Sequence, residues 1–266
     1  MKKSRRIGSK IFMGVLMLFF YAPIIYTIFF SFNSGRSLTH FDGFSLQWYG
    51  KMFSDSNMLQ AVFYTIVIAV IATAVSTVVG TVTAIGLSKS HRILKLIVEQ
   101  VNNFPLMNPD IVTAIGLLML FSGLHASKGF VTMLLAHIMF CIPYVMLSVT
   151  PKLKSLDSNI LEAAMDLGCT PIQALIKVIV PQIMPGVVSG ALIAFTMSFD
   201  DFVISYFVTG NGVSNISILV YTMSKRVNPS INALSTLIIV IISVFLLLVN
   251  IVPSLYNKSK AKSVKA

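Results

Sequence analysis

Ile11 to Phe32 is a run of 22 residues without one charged side chain. A bilayer core is spanned by about 20 apolar residues in helical form, because every backbone polar group in lipid must be satisfied within its own segment. Further long apolar runs follow at Leu59–Ser88, about Leu96–Leu124, Phe130–Thr150, Gly186–Val208 and Ala233–Leu255, the second and fourth of these carrying acidic residues. The chain is therefore expected to be an all-α integral membrane protein with six transmembrane helices. A composition of 56 % hydrophobic and 11 % charged residues, with a mean hydropathy of +0.85, excludes an ordinary soluble domain. The first run follows Lys2, Lys3, Arg5, Arg6 and Lys10, as a secretory leader would. Its length exceeds the roughly 7 to 15 residues of a leader core and no small-x-small cleavage pattern closes it, so a first span is expected.

Twenty Lys and Arg against 9 Asp and Glu would suggest a nucleic-acid partner in a soluble protein, but here position matters more than the sum, and no nucleic acid is expected. With the N-terminus inside, 15 of the 20 basic residues fall on the cytoplasmic side; Arg36, Lys51, Lys128, Lys225 and Arg226 lie outside. The positive-inside rule selects this topology, with both termini cytoplasmic. The expected organisation is a cytoplasmic basic N-terminus (1–10), a transmembrane domain (11–255) with a cytoplasmic hairpin at 151–185, and a basic tail (256–266).

The third span is irregular, carrying Glu99, Asn102, Asn103, Pro105, Asn108, Pro109 and Asp110, and a broken or bent helix is expected there. Asn108 as N-cap, Pro109 at the first position and Asp110 in the first turn would restart it. His137 in span four is expected to hydrogen-bond to a neighbouring helix. Trp48 and Tyr49 are expected to anchor at the interface.

Between spans four and five, Leu161–Pro181 is built differently. Asn159 with Glu162 predicts a capping box, Gly168 a left-handed helix end, and Thr170-Pro171 the start of a second short helix. Ile172, Leu175, Ile176 and Ile179 make one apolar stripe, which Val180-Pro181 is expected to stop. Spacing alone leaves two readings: a helix lying on the membrane or under the protein's own core, or a helix offered to a partner's groove.

Carboxylates at bilayer depth are costly and mark functional positions. Asp200 and Asp201 lie in span five, where the helix would turn them about 100° apart, and Asp110 falls near the middle of span three. An amine-bearing substrate would supply the cation that two adjacent carboxylates call for. A purely structural role remains open for all three, through Ser198 or Ser205 for the pair and through the helix dipole for Asp110. Trp48 and Tyr206 could add cation–π faces.

No GxxxxGK[ST] loop, HExxH, dinucleotide fingerprint or nucleophile triad is present, and Cys141 and Cys169 have no metal-ligand spacing. No catalytic or metal site is expected in this chain.

Glu162-Ala163-Ala164, Gly168, Val178, Val180 and Pro181 resemble the EAA signature of ABC importer permeases, which usually has Ile and Leu where this chain has the two valines. NPDIVTAIGLLMLF, LLAHIMFCIPYV, SFDDFVISYFVTG and VNPSINALST extend the resemblance to the permease subunits of spermidine/putrescine ABC importers, PotC type, over about residues 10–250. The resemblance implies a MetI-like fold in the bacterial cell membrane and a coupling segment (Glu162, Ala163, Ala164, Gly168, Pro181) docked on cytoplasmic ATPases. It also implies a second permease of PotB type, two ATPases of PotA type that bind ATP and Mg, and an extracytoplasmic binding protein of PotD type. The substrate pathway is expected to include Asp110, Ser198, Asp200, Asp201, Trp48 and Tyr206. The alternatives are a same-fold importer for phosphonate, sulfate or ferric ion and an ion-coupled secondary transporter; paired carboxylates suit the anionic cargoes badly.

Overall fold

The computed structural model describes residues 2–157, 159–210, 212–224, 228–244 and 247, with side chains from Lys10 onward. It consists of α1 (Lys2–Ser31), α2 (Gln47–Ser54), α3 (Ser56–Ser88), α4 (Arg92–Met107), α5 (Asp110–Gly123), α6 (Phe130–Lys154), α7 (Ile160–Asp166), α8 (Pro171–Ala174), α9 (Val180–Asp200), α10 (Val203–Val208) and α11 (Ile216–Ser224), followed by α12 (Ser230–Val244). Among the described residues no strand forms beyond one antiparallel bridge, Asn33 to Phe44.

Four helical runs are long and apolar enough to cross a membrane: Lys10–Ser31, Ser56–Ser88, Phe130–Lys154 and Pro171–Asp200. A fifth results if α4 and α5, bent by 111° at their junction, are one broken span. The sixth expected span is described only at 230–244 and 247. The rest of that span, the tail 256–266, Lys225 and Arg226 lie outside the described residues.

The chain divides into two compact units, one of Met1–Leu59 with Val220–Ala266, the other of Gln60–Leu219. In the first, Asn33 organises the loop after α1. Its buried side chain donates to the carbonyls of Ser37 (2.9 Å) and His40 (2.8 Å) and accepts from the Asp42 N–H (2.7 Å). The carbonyl of Asn33 takes the indole N–H of Trp48 at 2.7 Å. Trp48 is thus a buried core residue of this loop rather than an interface anchor: its one polar atom is satisfied inside, so nothing draws it to the headgroups. Asp55 then starts α3 by accepting from the N–H groups of Asn57 (2.9 Å) and Met58 (3.4 Å).

In the second unit α6 and α9 form the central pair, with α10 packed on α5 and α6. Gly186, Gly190 and Ala194 place small residues every four positions on the buried face of α9, which is how membrane helices approach closely. A Cβ on Gly190 would lie 3.1 Å from the Cα of Val145, so the two backbones touch there. Met133, Phe140, Val145, Ile183 and Ile204 fill the surrounding core.

Three local expectations are corrected. The α4–α5 break lies one residue later than predicted: Asn108 ends α4, Pro109 is the N-cap of α5 and Asp110 is its first residue. Asn108 and Pro109 are both extended (ψ 147° and 138°), so the helix restarts only after the proline, and no side chain caps it. Second, Val180-Pro181 does not stop the helix. Helix runs unbroken from Pro171 to Asp200, 30 residues, because Leu175–Ile179 forms a π-turn in which the Val180 N–H reaches the Leu175 carbonyl. That wider turn gives room for the Pro181 ring, whose clash in a regular helix falls on the carbonyl four residues back. Third, helix does not run through Asp200-Asp201. α9 ends at Asp200, Asp201 is extended (φ −59°, ψ 128°), and α10 starts afresh at Val203.

Candidate functional site

The two broken helices of the second unit supply the carboxylates. Asp110 opens α5, and Asp200 and Asp201 stand between α9 and α10. One turn of α6, Cys141 to Tyr144, lies within electrostatic reach of both Asp110 and Asp201. Spans three and five are thus interrupted around the same level of span four.

The two adjacent aspartates differ completely in setting. Asp201 has a side chain only 6 % exposed. Its Oδ2 accepts from the Ser205 N–H at 2.7 Å and the Ser205 hydroxyl at 2.8 Å, and its Oδ1 accepts from the Ile204 N–H at 3.3 Å. It caps α10, using the donors that the first turn leaves free. Each hydrogen bond its carboxyl group makes is one it accepts. Asp200 is exposed at the end of α9, and its backbone carbonyl takes the Ser217 hydroxyl at 3.2 Å.

Around Asp201 the buried polar network closes without a gap. The Ser205 hydroxyl spends its single proton on Asp201, so it accepts from Asn215 Nδ2 (2.9 Å) and from His137 Nε2 (2.9 Å). His137 therefore carries its proton on Nε2, and its Nδ1 accepts from the Ser198 hydroxyl at 2.6 Å. Asn215 donates its other proton to the Asp201 carbonyl at 2.8 Å and accepts from the Ile218 N–H at 2.9 Å. One neutral imidazole on α6 thereby ties Ser198 at the end of α9 to Ser205 in α10, across the break. The expected role of His137 as a helix-to-helix bond is what the structure shows. Asn215 was missed, since an Asn in a polar external-looking loop carries no sequence signal of burial.

Of the remaining expected pathway residues, Ser198 is buried and engaged by His137. Tyr206 is 48 % exposed, one turn into α10 and tilted on Phe202 with ring centroids 5.5 Å apart. Trp48 belongs to the first unit, where Lys51 Nζ lies 4.1 Å from its ring centroid, so one face already carries a cation. A cleft of about 770 Å³ within that unit is lined by Arg36, Lys51 and Asp55, a balance that suits no polycation.

The EAA-like hairpin forms as two turns joined at Gly168, whose φ of +89° is the left-handed geometry expected. The Gly168 N–H bonds to the Met165 carbonyl (2.8 Å) and the Cys169 N–H to the Ala164 carbonyl (3.1 Å), a Schellman closure. The predicted capping box at Asn159 and Glu162 does not form, for Asn159 makes no side-chain cap bond to α7. Its backbone N–H instead meets Asp157 Oδ1 at 2.9 Å. The box is found at the next helix, where Thr170 Oγ1 accepts from the Gln173 N–H at 3.3 Å and Gln173 Oε1 from the Thr170 N–H at 3.2 Å. Glu162, Ala163, Gly168 and Pro181 are exposed and Ala164 is buried. Leu167, Ile172 and Ile176 present an apolar outer face, 87 %, 69 % and 60 % exposed.

A family described as "Binding-protein-dependent transport system inner membrane component" matches residues 76–262. The putrescine transport system permease protein PotI of Escherichia coli K12 is 39 % identical over 234 residues, 83 % of this chain and 82 % of that protein. The spermidine/putrescine transport system permease protein PotC of Haemophilus influenzae is 40 % identical over 231 residues, 86 % of this chain and 90 % of that one. PotC of Escherichia coli K12 is 38 % identical over 86 % of this chain and 88 % of its own. In fold, the chain resembles a bacterial ABC transporter involved in the import of the acidic polysaccharide alginate, with a TM-score of 0.74 at 16 % identity over 95 % of this chain and 96 % of that one. The structure of a bacterial alginate ABC transporter in complex with an alginate pentasaccharide-bound periplasmic protein gives 0.67 at 12 % identity, covering 92 % and 93 %. The chain belongs to the binding-protein-dependent transport system inner membrane components, the MetI-like, multi-pass permease subunits of ABC importers, and is not itself an enzyme.

Proposed function

We propose that this chain is one of two permease subunits of an ATP-driven importer for polyamines. The single observation that carries the substrate assignment is the division of labour at the helix break. Asp201 is consumed by the chain's own donors, which leaves Asp200 with an exposed carboxylate at membrane depth, and Asp110 stands exposed at the second break. Carboxylates in that position call for a cation, and relatives named for putrescine and spermidine transport agree. Asp200 and Asp110 replace water around ammonium groups; Asp201, Ser198 and His137 hold the break in shape. Tyr206 flanks the site, and the partner permease supplies its other half.

The hairpin end faces the cytoplasm and both termini lie there, as the distribution of basic residues supports. Leu167, Ile172 and Ile176 dock into a cytoplasmic ATPase, with Glu162, Ala163, Ala164, Gly168 and Pro181 shaping the turn. ATP-driven movement of that turn alternates access to the carboxylates from an extracytoplasmic binding protein and from the cell interior. ATP and Mg stay on the ATPases.

Uptake of labelled spermidine and putrescine into vesicles holding the whole importer tests the reading, wild type against Asp200→Asn. Saturable uptake in the wild type and a half-saturating concentration raised about tenfold or more in the variant, with ATPases still bound, are the expected result. A second reading is the same architecture with another cargo, since the fold is shared by a transporter that imports an acidic polysaccharide. Wild-type vesicles that take up no polyamine would select it.

A further inference from the structure

The lysines at the hairpin end of the second unit line a cavity that neither the substrate path nor the docking face uses. It measures about 260 Å³ and lies where the end of α3, the start of α4, the end of α6 and the inner side of the hairpin converge. Lys89, Lys95 and Lys154 stand around it, and Leu153, Leu161 and Ile179 are among its apolar walls. A smaller adjoining cavity is lined by Lys95, Lys154 and Leu153 as well, together with Glu99, so the two lysines border both hollows. Among the described residues, none of the three lysines forms an ion pair with a carboxylate. Asp157, the one acidic residue at the rim, accepts from the Asn159 N–H.

Three unpaired ammonium groups over an apolar floor describe a ligand that is anionic at one end and greasy at the other. The volume suits a headgroup and not whole acyl chains. Beside it, Ile93, Ile97 and Val101 of α4 are 74 %, 57 % and 67 % exposed, and α4 buries no residue of its own in this chain. We propose that the cavity holds the headgroup phosphate of an anionic phospholipid of the cytoplasmic leaflet, with its chains against the apolar side of α4. Basic pockets between membrane helices on the cytoplasmic side are suited to such headgroups.

The consequence is regulatory, because the inner wall of the cavity is the hairpin itself. Leu161 and Ile179 line the cavity while Leu167, Ile172 and Ile176 point outward. A bound lipid braces the hairpin from behind while the ATPase pushes on it from the front. This inference rests on the sidedness and ATPase docking proposed above.

The whole importer is purified in detergent with phosphatidylglycerol and examined by native mass spectrometry, then reconstituted in vesicles of phosphatidylcholine with and without phosphatidylglycerol. Wild type retains phosphatidylglycerol and shows faster ATP-dependent uptake in the mixed vesicles. Lys89→Gln, Lys95→Gln and Lys154→Gln combined lose the retained lipid and the stimulation while keeping uptake in phosphatidylcholine; each single change weakens retention about fivefold. Lys→Arg at the same three positions restores both, which separates lost charge from lost folding. Equal lipid retention by wild type and the Gln variant overturns the proposal, as does stimulation of phosphatidylcholine vesicles by inorganic phosphate alone. Retention is read without transport, so failure of uptake in every vesicle would strike the transport reading and leave this result standing.

Discussion

His137 on α6 and Ser205 on α10 lie 2.9 Å apart, and the proton between them belongs to the imidazole, because the Ser205 hydroxyl has already given its own to Asp201. Replacing His137 with Ala takes the side-chain partner from the buried Ser198 hydroxyl and leaves a cavity, while Ser205 keeps Asp201 and Asn215. A loss of stability of about 2 kcal/mol or more is expected, to be read as a lower midpoint of thermal unfolding for the purified complex.

Asp200→Asn and Asp201→Asn are expected to part company. Whichever way the amide of Asp201→Asn turns, its NH2 faces a backbone N–H, that of Ile204 or that of Ser205, so the variant loses about 1 to 2 kcal/mol of stability. Asp200→Asn meets no such conflict and keeps its stability. Its cost falls on transport, with the half-saturating polyamine concentration rising about tenfold or more. Unfolding curves and uptake kinetics on the same two preparations make the comparison.

Gly168→Ala tests the turn. No atom lies within 4 Å of the added Cβ, so the cost is purely that of a left-handed backbone, with φ at +89°, about 1 kcal/mol. Gly168→Pro also removes the bond to Met165 and is expected to abolish ATPase co-purification, which the Ala variant keeps in part.

Ile172→Asp with Ile176→Asp places charge on the outer face of the hairpin, where both side chains are already exposed. Folding is therefore little affected. Loss of ATPase subunits on affinity purification is the expected outcome, and undiminished binding would remove the docking face from the proposal.

Gly190→Leu forces α6 and α9 apart, since the first added carbon already meets Val145 Cα at 3.1 Å. Overpacking of this kind costs about 1–3 kcal/mol, and it is expected to appear as reduced yield of assembled complex.

Apolar run length made the spans legible, and Asn108-Pro109 made the bend legible, because lipid leaves a backbone few options and proline fewer. Gly168 and Thr170-Pro171 were equally plain, their geometry being local. What sequence hid was non-local. Pro181 looked like a stop until a π-turn one turn earlier made room for it, and nothing in the letters LIKVI announces that turn. Asp200 and Asp201 looked equivalent because they are neighbours; Ser205, four residues on, is a partner that the sequence offers to the pair without choosing between them, and Asn215 folds back from further along the chain.

Because helix is continuous over Pro171–Asp200, about 45 Å at 1.5 Å per residue, the proposed docking turn and the exposed carboxylate are opposite tips of one helix. Its points of give are the π-turn at Leu175–Ile179 and Pro185, which lie nearer the hairpin than the carboxylate. On the transport cycle proposed above, a compound lodged beside Asp200 from outside the cell is expected to slow nucleotide hydrolysis on the far side of the membrane without ever crossing it.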